Sequence, residues 1–253
     1  MGVAFRTFES DRPIQATQEG QTMTIPKHFS HEVSQRALEP ICKFYDRLPE
    51  CERKGFPEAT FLLSVSMPIV ILPIERIQKH TGSTIGHMDD TAHNKDLANA
   101  IKKTVNMSEK VHNKKFFADM WQYASLKKEG GFPNLAVKGL PEKIVEELNS
   151  QKEATKRAGQ LSTLCFFKIL RNALAHGGVL YLDECGDSRP DAIVHRFAFV
   201  STDRQRKPTE LRFLQIKVID YRKFLERWVK WMDKQVINRA MADDLGLDAH
   251  DKT

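Results

Sequence analysis

The chain has 253 residues, of which 41% are hydrophobic and 28% charged, a balance that excludes a wholly disordered protein. Thirty-nine Lys and Arg against 33 Asp and Glu leave a net charge of +6, a mild bias toward polyanionic partners that by itself selects none of them. The length suffices for a sizeable core and is read as one large domain.

Residues 1–28 have no steady period and are rich in Thr, Gln, Asp and Pro, which predicts an irregular arm with a short strand at 22–25. The opening MGVAFRTFESDRP has no basic segment followed by an apolar run, so no secretory leader is expected. A single helical domain is expected over residues 29–240. From Ser30, suited to an N-cap, Val33, Ala37, Leu38, Ile41, Phe44, Tyr45 and Leu48 recur at helical spacing. Pro40 lies inside that run and predicts a kink or a restart.

Residues 57–79 carry the longest apolar run, FLLSVSMPIVILPIERIQK. Its uninterrupted apolar part, residues 61–74, is shorter than a membrane span, holds Pro68 and Pro73 and is flanked by Glu58, Glu75 and Arg76, so the stretch reads as a core helix, bent or split at the prolines, with no membrane role. The connection at 80–95 contains His80, His87 and His93 but lacks the His or Cys spacing of a metal site. No metal and no cofactor are expected. Helices are predicted at 96–106 and 109–126; Phe116, Phe117, Met120, Trp121 and Tyr123 in the second read as core aromatics before an RNA-stacking platform. After a loop at Gly130, Gly131 and Pro133, a helix is expected over 140–149 with Pro141 at its first position. A polar run at 151–157 then leads into the central helix.

That helix, residues 161–178, reads LSTLCFFKILRNALAHGG. Up to Leu170 it is apolar almost all round, as a helix buried among other helices must be. Towards its end it turns selectively polar: Lys168, Arg171, Asn172 and His176 share an arc of about 140° at roughly 100° per residue. Asn172 and His176 are i, i+4 neighbours with Arg171 beside them, and Gly177 and Gly178 supply left-handed positions to end the helix. The helix C-terminus favours an imidazolium and the guanidinium opposes it, a balance suited to a group that exchanges protons. Arg171 can grip a phosphate oxygen pair, Asn172 can orient imidazole or substrate, and Lys168 is a further substrate-binding cation. The same residues would also make a self-satisfied buried polar network.

Past the glycines the period becomes alternating. VLYLDE at 179–184, IVHRFAFVS at 193–201 and LRFLQIKV at 211–218 predict an antiparallel meander at about 179–218. From Asp220 an amphipathic helix with Phe224, Leu225, Trp228, Trp231 and Met232 on one face is expected, and 241–253 reads as a frayed acidic tail. Cys42, Cys51, Cys165 and Cys185 are widely spread, which suits reduced thiols in a cytoplasm.

An Arg–Asn pair followed by three residues and His, at the end of an apolar helix, resembles the motif of the HEPN superfamily; Arg171, Asn172 and His176 match it position by position. The likeness is strongest over about residues 57–240. It implies a mainly α fold, a HEPN-like helical bundle with a small antiparallel β-sheet inserted between the motif helix and the C-terminal helix. In such folds the long early helix packs on the motif helix and lends a polar side chain to the cleft, here Ser64, Ser66 or Glu75. The resemblance also implies a metal-independent endoribonuclease of a prokaryotic defence or toxin system. It would cleave RNA at a composite site on a homodimer interface, with an antitoxin protein as a further partner. Arg171, Asn172 and His176 would be catalytic. The alternative is a non-catalytic HEPN-like module that binds RNA, a nucleotide or a protein.

Overall fold

The computed structural model describes residues 29–44, 58–78, 99, 109–189, 191–203 and 206–244. The expected arm at 1–28, the histidine-bearing connection, the helix at 96–106 apart from residue 99, and the last nine residues lie outside these segments. Helix α1 (Phe29–Phe44) runs through Pro40. The next rod comprises α2 (Glu58–Ser66), a π-helical segment (Met67–Ile71) and α3 (Leu72–Gln78).

The two prolines do not split this rod, and two of the carbonyls set free near them find side-chain partners. Leu72 N–H bonds to Met67 O, one residue further back than in an α-helix, which frees the carbonyl of Pro68. Pro73 has no N–H, so the Ile69 carbonyl loses its partner as well. Ser34 Oγ of α1 lies 3.1 Å from Pro68 O and 3.2 Å from Ile69 O, and Trp228 Nε1 donates to Ile69 O at 2.9 Å. A helix irregularity written into the sequence is thus met by side chains from both ends of the chain. Residues 58–76 are long and apolar enough to cross a membrane, yet Leu62, Ile69, Val70, Ile71 and Ile74 belong to the main hydrophobic core.

The helix expected over 109–126 does not form. A short 3-10 turn at Val111–Asn113 is followed by irregular chain with positive φ at Ala118 and Asp119, and then by strand β1 (Gln122–Lys127). The aromatic residues are core, as their spacing suggested: Phe116, Phe117 and Trp121 are almost wholly buried. They achieve it by a turn that lets Trp121 meet Phe166 and Phe224 edge-on at 5.0 and 5.1 Å. The competing pull is β4, an element some 90 residues away, against which β1 pairs from Gln122↔Gln215 to Lys127↔Glu210.

Then come α4 (Leu135–Lys138), α5 (Glu142–Asn149) and α6 (Gln151–Gln160). The polar run is a helix of its own, buried along Ala154 and Ala158, with Arg157 reaching Tyr123 O and Glu147 O. The motif helix α7 (Thr163–His176) starts at Ser162, whose Oγ accepts from Cys165 N–H. Strands β2 (Val179–Leu182), β3 (Arg196–Thr202) and β4 (Glu210–Lys217) follow, and α8 (Val218–Asp244) closes the described chain, running past the point where fraying was expected.

The sheet has four antiparallel strands in the order β1-β4-β3-β2, one more than the expected meander, because β1 joins from before the motif helix. Alternation sorts its two faces. Phe197, Phe199, Leu214 and Ile216 enter the main core with α7, α8 and the α2–α3 rod. Ala198, Leu211 and Phe213 enter a smaller core with Leu140, Ile144 and Leu148 of the α5 side. The motif helix is therefore held between helices on one side and a sheet on the other.

Candidate functional site

The apolar stripe of α7, from Phe166 to Ala173, is buried and fixes the helix rotation, so the polar arc must face outward. Lys168 and His176 are exposed, and Arg171 and Asn172 half-buried. Arg171 Nε donates to Glu75 Oε1 at 2.8 Å, and Arg171 Nη1 to Asn172 Oδ1 at 2.9 Å. Two of the five guanidinium N–H groups are thereby used and three are left for an anion. The Arg171 and Glu75 side chains are 32% and 26% exposed, so solvent screens the pair and an incoming phosphate can compete for the cation.

Glu75 sits on α3, and the prolines that shape the rod decide where it points. Of the three cleft candidates on that rod, only Glu75 reaches the motif. Ser64 Oγ donates to Phe61 O, and Ser66 Oγ donates to Leu62 O while accepting from Tyr221 OH at 2.6 Å. Both serines are structural.

His176 ends α7 where two glycines do different work. Gly177 is left-handed, φ 70°, as expected of a helix-ending residue. Gly178 is not; a side chain there would put its Cβ 2.4 Å from Val200 O. Gly178 O accepts from Val200 N–H at 2.7 Å, so the end of the motif helix lies directly on β3. Among the described residues His176 has no hydrogen-bond partner, leaving both ring nitrogens available. The imidazole borders a cavity of about 360 Å³ formed by the α7 end, α4 and the ends of β2 to β4.

Two titratable groups elsewhere, Cys165 in the first turn of α7 and Tyr123 on β1, are held neutral. Burial pushes the Cys165 thiol up, although Arg212 Nη1 lies 3.5 Å from its Sγ. Burial also raises the Tyr123 phenol to about 12. Neither suits proton transfer near neutrality. Among the described residues no cluster of three His, Cys, Asp or Glu could hold a metal ion.

The family model described as HEPN pEK499 p136 matches residues 22–239. The chain belongs to this HEPN family. No curated protein and no solved structure matches it. The HEPN region takes in Glu75, Lys168, Arg171, Asn172 and His176, so the whole candidate site lies within it. What the motif did not announce is the cavity, whose lining comes from segments as distant as Leu135 and Leu211. One local signal existed: in β3, Phe197, Phe199 and Ser201 share a face, which puts a hydroxyl at a position otherwise apolar.

Proposed function

We propose that this HEPN protein is a metal-independent endoribonuclease of a prokaryotic defence or toxin system, acting on RNA in the cytoplasm. The observation that carries it is an exposed imidazole at the edge of an open cleft, without a partner among the described residues, five residues along the same helix from a guanidinium with free donors. In this reading the 2′-oxygen of the substrate attacks phosphorus and the bond to the 5′-oxygen breaks, giving a 2′,3′-cyclic phosphate and a free 5′-hydroxyl. His176 removes or supplies the proton at one end of that displacement. Arg171 neutralises charge developing on the phosphoryl oxygens. Asn172, bonded to Arg171, keeps the guanidinium in position, and Lys168 one turn earlier holds an adjoining phosphate.

One imidazole cannot act at once on the attacking and the leaving oxygen. The reading therefore includes a homodimer in which two motif faces meet about a two-fold axis, and an antitoxin protein that silences the site when present. A second reading, a HEPN module that binds RNA, a nucleotide or a protein without cutting, is favoured by the existing Arg171–Glu75 pair, which already satisfies part of the guanidinium.

Incubating the purified protein with structured RNA in the presence and absence of chelator, with His176→Ala beside it, decides between them. Cleavage that survives chelation, leaves cyclic phosphate ends and disappears in the variant supports the enzyme. Activity abolished by chelation and restored by a divalent cation overturns the metal-independent mechanism. A monomer by light scattering that still cuts overturns the composite site.

A further inference from the structure

The polar side of α7 extends beyond the motif. Cys165, Lys168, Asn172 and His176 recur at i, i+3, i+7 and i+11 and share an arc of about 80° at roughly 100° per residue, so they form one line along the helix. At the end of that line away from His176 stands Arg212 of β4, whose Nη1 lies 3.5 Å from Cys165 Sγ. The charges that act on the Cys165 thiol are those of Arg212, Lys168 and Glu210, two cations against one carboxylate.

Arg212 is held as Arg171 is. In each, a carboxylate accepts from Nε, Glu75 at 2.8 Å for Arg171 and Glu210 at 2.9 Å for Arg212. In each, a side chain of α7 accepts from Nη1, Asn172 for Arg171 and Cys165 for Arg212. Both guanidinium groups are thereby oriented with three of five N–H donors left over. The two arginine side chains are 32% and 28% exposed, so an anion can reach them. Lys168, exposed between them, has no hydrogen-bond or ion-pair partner among the described residues. Neutralising Glu210 uses one donor of Arg212, and a planar fork has more to offer than that.

We propose that Arg212 is a further phosphate subsite, and that single-stranded RNA runs from the scissile position along α7 past Lys168 to Arg212. The inference rests on the ribonuclease reading and deepens it by fixing the course of the bound strand. Phosphate contacts set the position of a nucleic acid on a protein, and an oriented arginine binds phosphate through two parallel donors. A single line of cations follows one backbone, as in grooves that take single strands. Cys165 and His176 are eleven residues apart, about 16 Å along the axis at 1.5 Å per residue. A strand that advances at least about 3.4 Å per nucleotide covers this in at most about five.

The test uses the full chain and a single-stranded RNA about a dozen nucleotides long. Its 2′-oxygens are methylated, so it cannot supply the attacking oxygen and stays intact. Anisotropy measures binding across a salt series. Arg212→Gln should weaken binding about fivefold or more near 0.1 M salt. It should also make the fall of log K with log salt shallower by about 0.7, as for one phosphate contact on a single strand. Arg212→Lys should keep the wild-type slope, because the charge remains. With unmodified RNA, kcat/KM for a dinucleotide, too short to reach Arg212, should not change in Arg212→Gln, whereas that for the longer strand should fall. Saturating RNA should also protect Arg212 of the wild-type chain from phenylglyoxal, read by mass spectrometry, which serves if Arg212→Gln fails to fold.

Unchanged affinity and slope in a folded Arg212→Gln, or modification of Arg212 that RNA does not slow, overturns the subsite; if RNA is still cut, the ribonuclease stands. RNA bound with the altered slope and the protection, yet never cut in its unmodified form, sustains the subsite and overturns the ribonuclease. No binding of RNA at low salt overturns both.

Discussion

His176→Ala should separate chemistry from folding more cleanly than any other change in the motif. The imidazole is exposed and has no hydrogen-bond partner among the described residues, so truncation empties no packed space and strands no buried group. What the fold loses is at most the favourable interaction of an exposed basic side chain with the C-terminal end of α7, about 0.3–1 kcal/mol. For a chain of this size that lowers the melting temperature by at most about 4 °C. The chemical loss is far larger. Removing a proton-transfer group typically costs about 10²–10⁴ in rate, equivalent to roughly 2.7–5.4 kcal/mol on the barrier. Arg171→Ala should behave differently, because it removes the bonds to Glu75 and Asn172 and leaves a carboxylate behind. There the same loss of rate should come with about 1–2 kcal/mol of destabilisation. Thermal melting and single-turnover cleavage of one labelled RNA measure both quantities, and the double variant should be no slower than the worse single one, as for groups serving one step. A fall of more than about 5 °C in His176→Ala, with cleavage within about threefold of wild type, would refute the catalytic role and make the motif structural.

Glu75→Gln keeps the shape of the Arg171 contact but removes its charge, so RNA affinity should rise roughly fivefold with stability changing by under about 1 kcal/mol; filter binding showing weaker affinity would mean that Glu75 chiefly positions the guanidinium. Gly178→Ala should destabilise by roughly 1–3 kcal/mol and impair cleavage, since its Cβ would press on Val200 O at 2.4 Å and push the His176 end of α7 off β3. Gly177→Asn, which tolerates the left-handed backbone, should leave both nearly unchanged. Asp203 accepts from Thr209 Oγ1, Thr209 N–H and Glu210 N–H, and these bonds, the Thr209 hydroxyl first, hold its carboxyl well below the usual range. A lowered folded-state value means stability that is complete above the unfolded carboxylate range, near pH 4, and fades as pH falls further. Asp203→Asn should therefore melt lower than wild type at pH 7, with the gap closing in strong acid; a constant gap would show that the carboxylate charge is not what the turn uses. Tyr221→Phe removes the buried bond to Ser66 and should cost about 0.5–1.5 kcal/mol with no change in cleavage, checked by urea unfolding.

The chain by itself determines whatever depends on neighbours within a few residues. The apolar run of α7, its polar arc and its terminal glycines are consequences of a 3.6-residue period, so Arg171, Asn172 and His176 are legible as one group from their spacing alone. The three strands after Gly178 are legible from alternation, with no end displaced by more than three residues. Residues 109–126 are not. Their aromatic spacing fits a helix equally well, and β4, the partner that makes Gln122–Lys127 a strand, is supplied by the far end of the chain.

Tertiary structure alone decides what crosses between elements. Glu75 is one of three polar side chains on its rod with equal claim on the cleft. Arg171 selects it because Pro68 and Pro73 reshape that rod and α1 and α8 satisfy the carbonyls set free. Gly178 announces itself as a helix stop, whereas its task is to admit the backbone of β3. The cavity has no sequence pattern at all, since Leu135, Asn172, Leu180 and Ser201 are brought together only when α7 and the sheet pack. Periodicity records which face of a helix or strand is apolar; which distant face it meets is set by packing, and concave sites arise from that second choice.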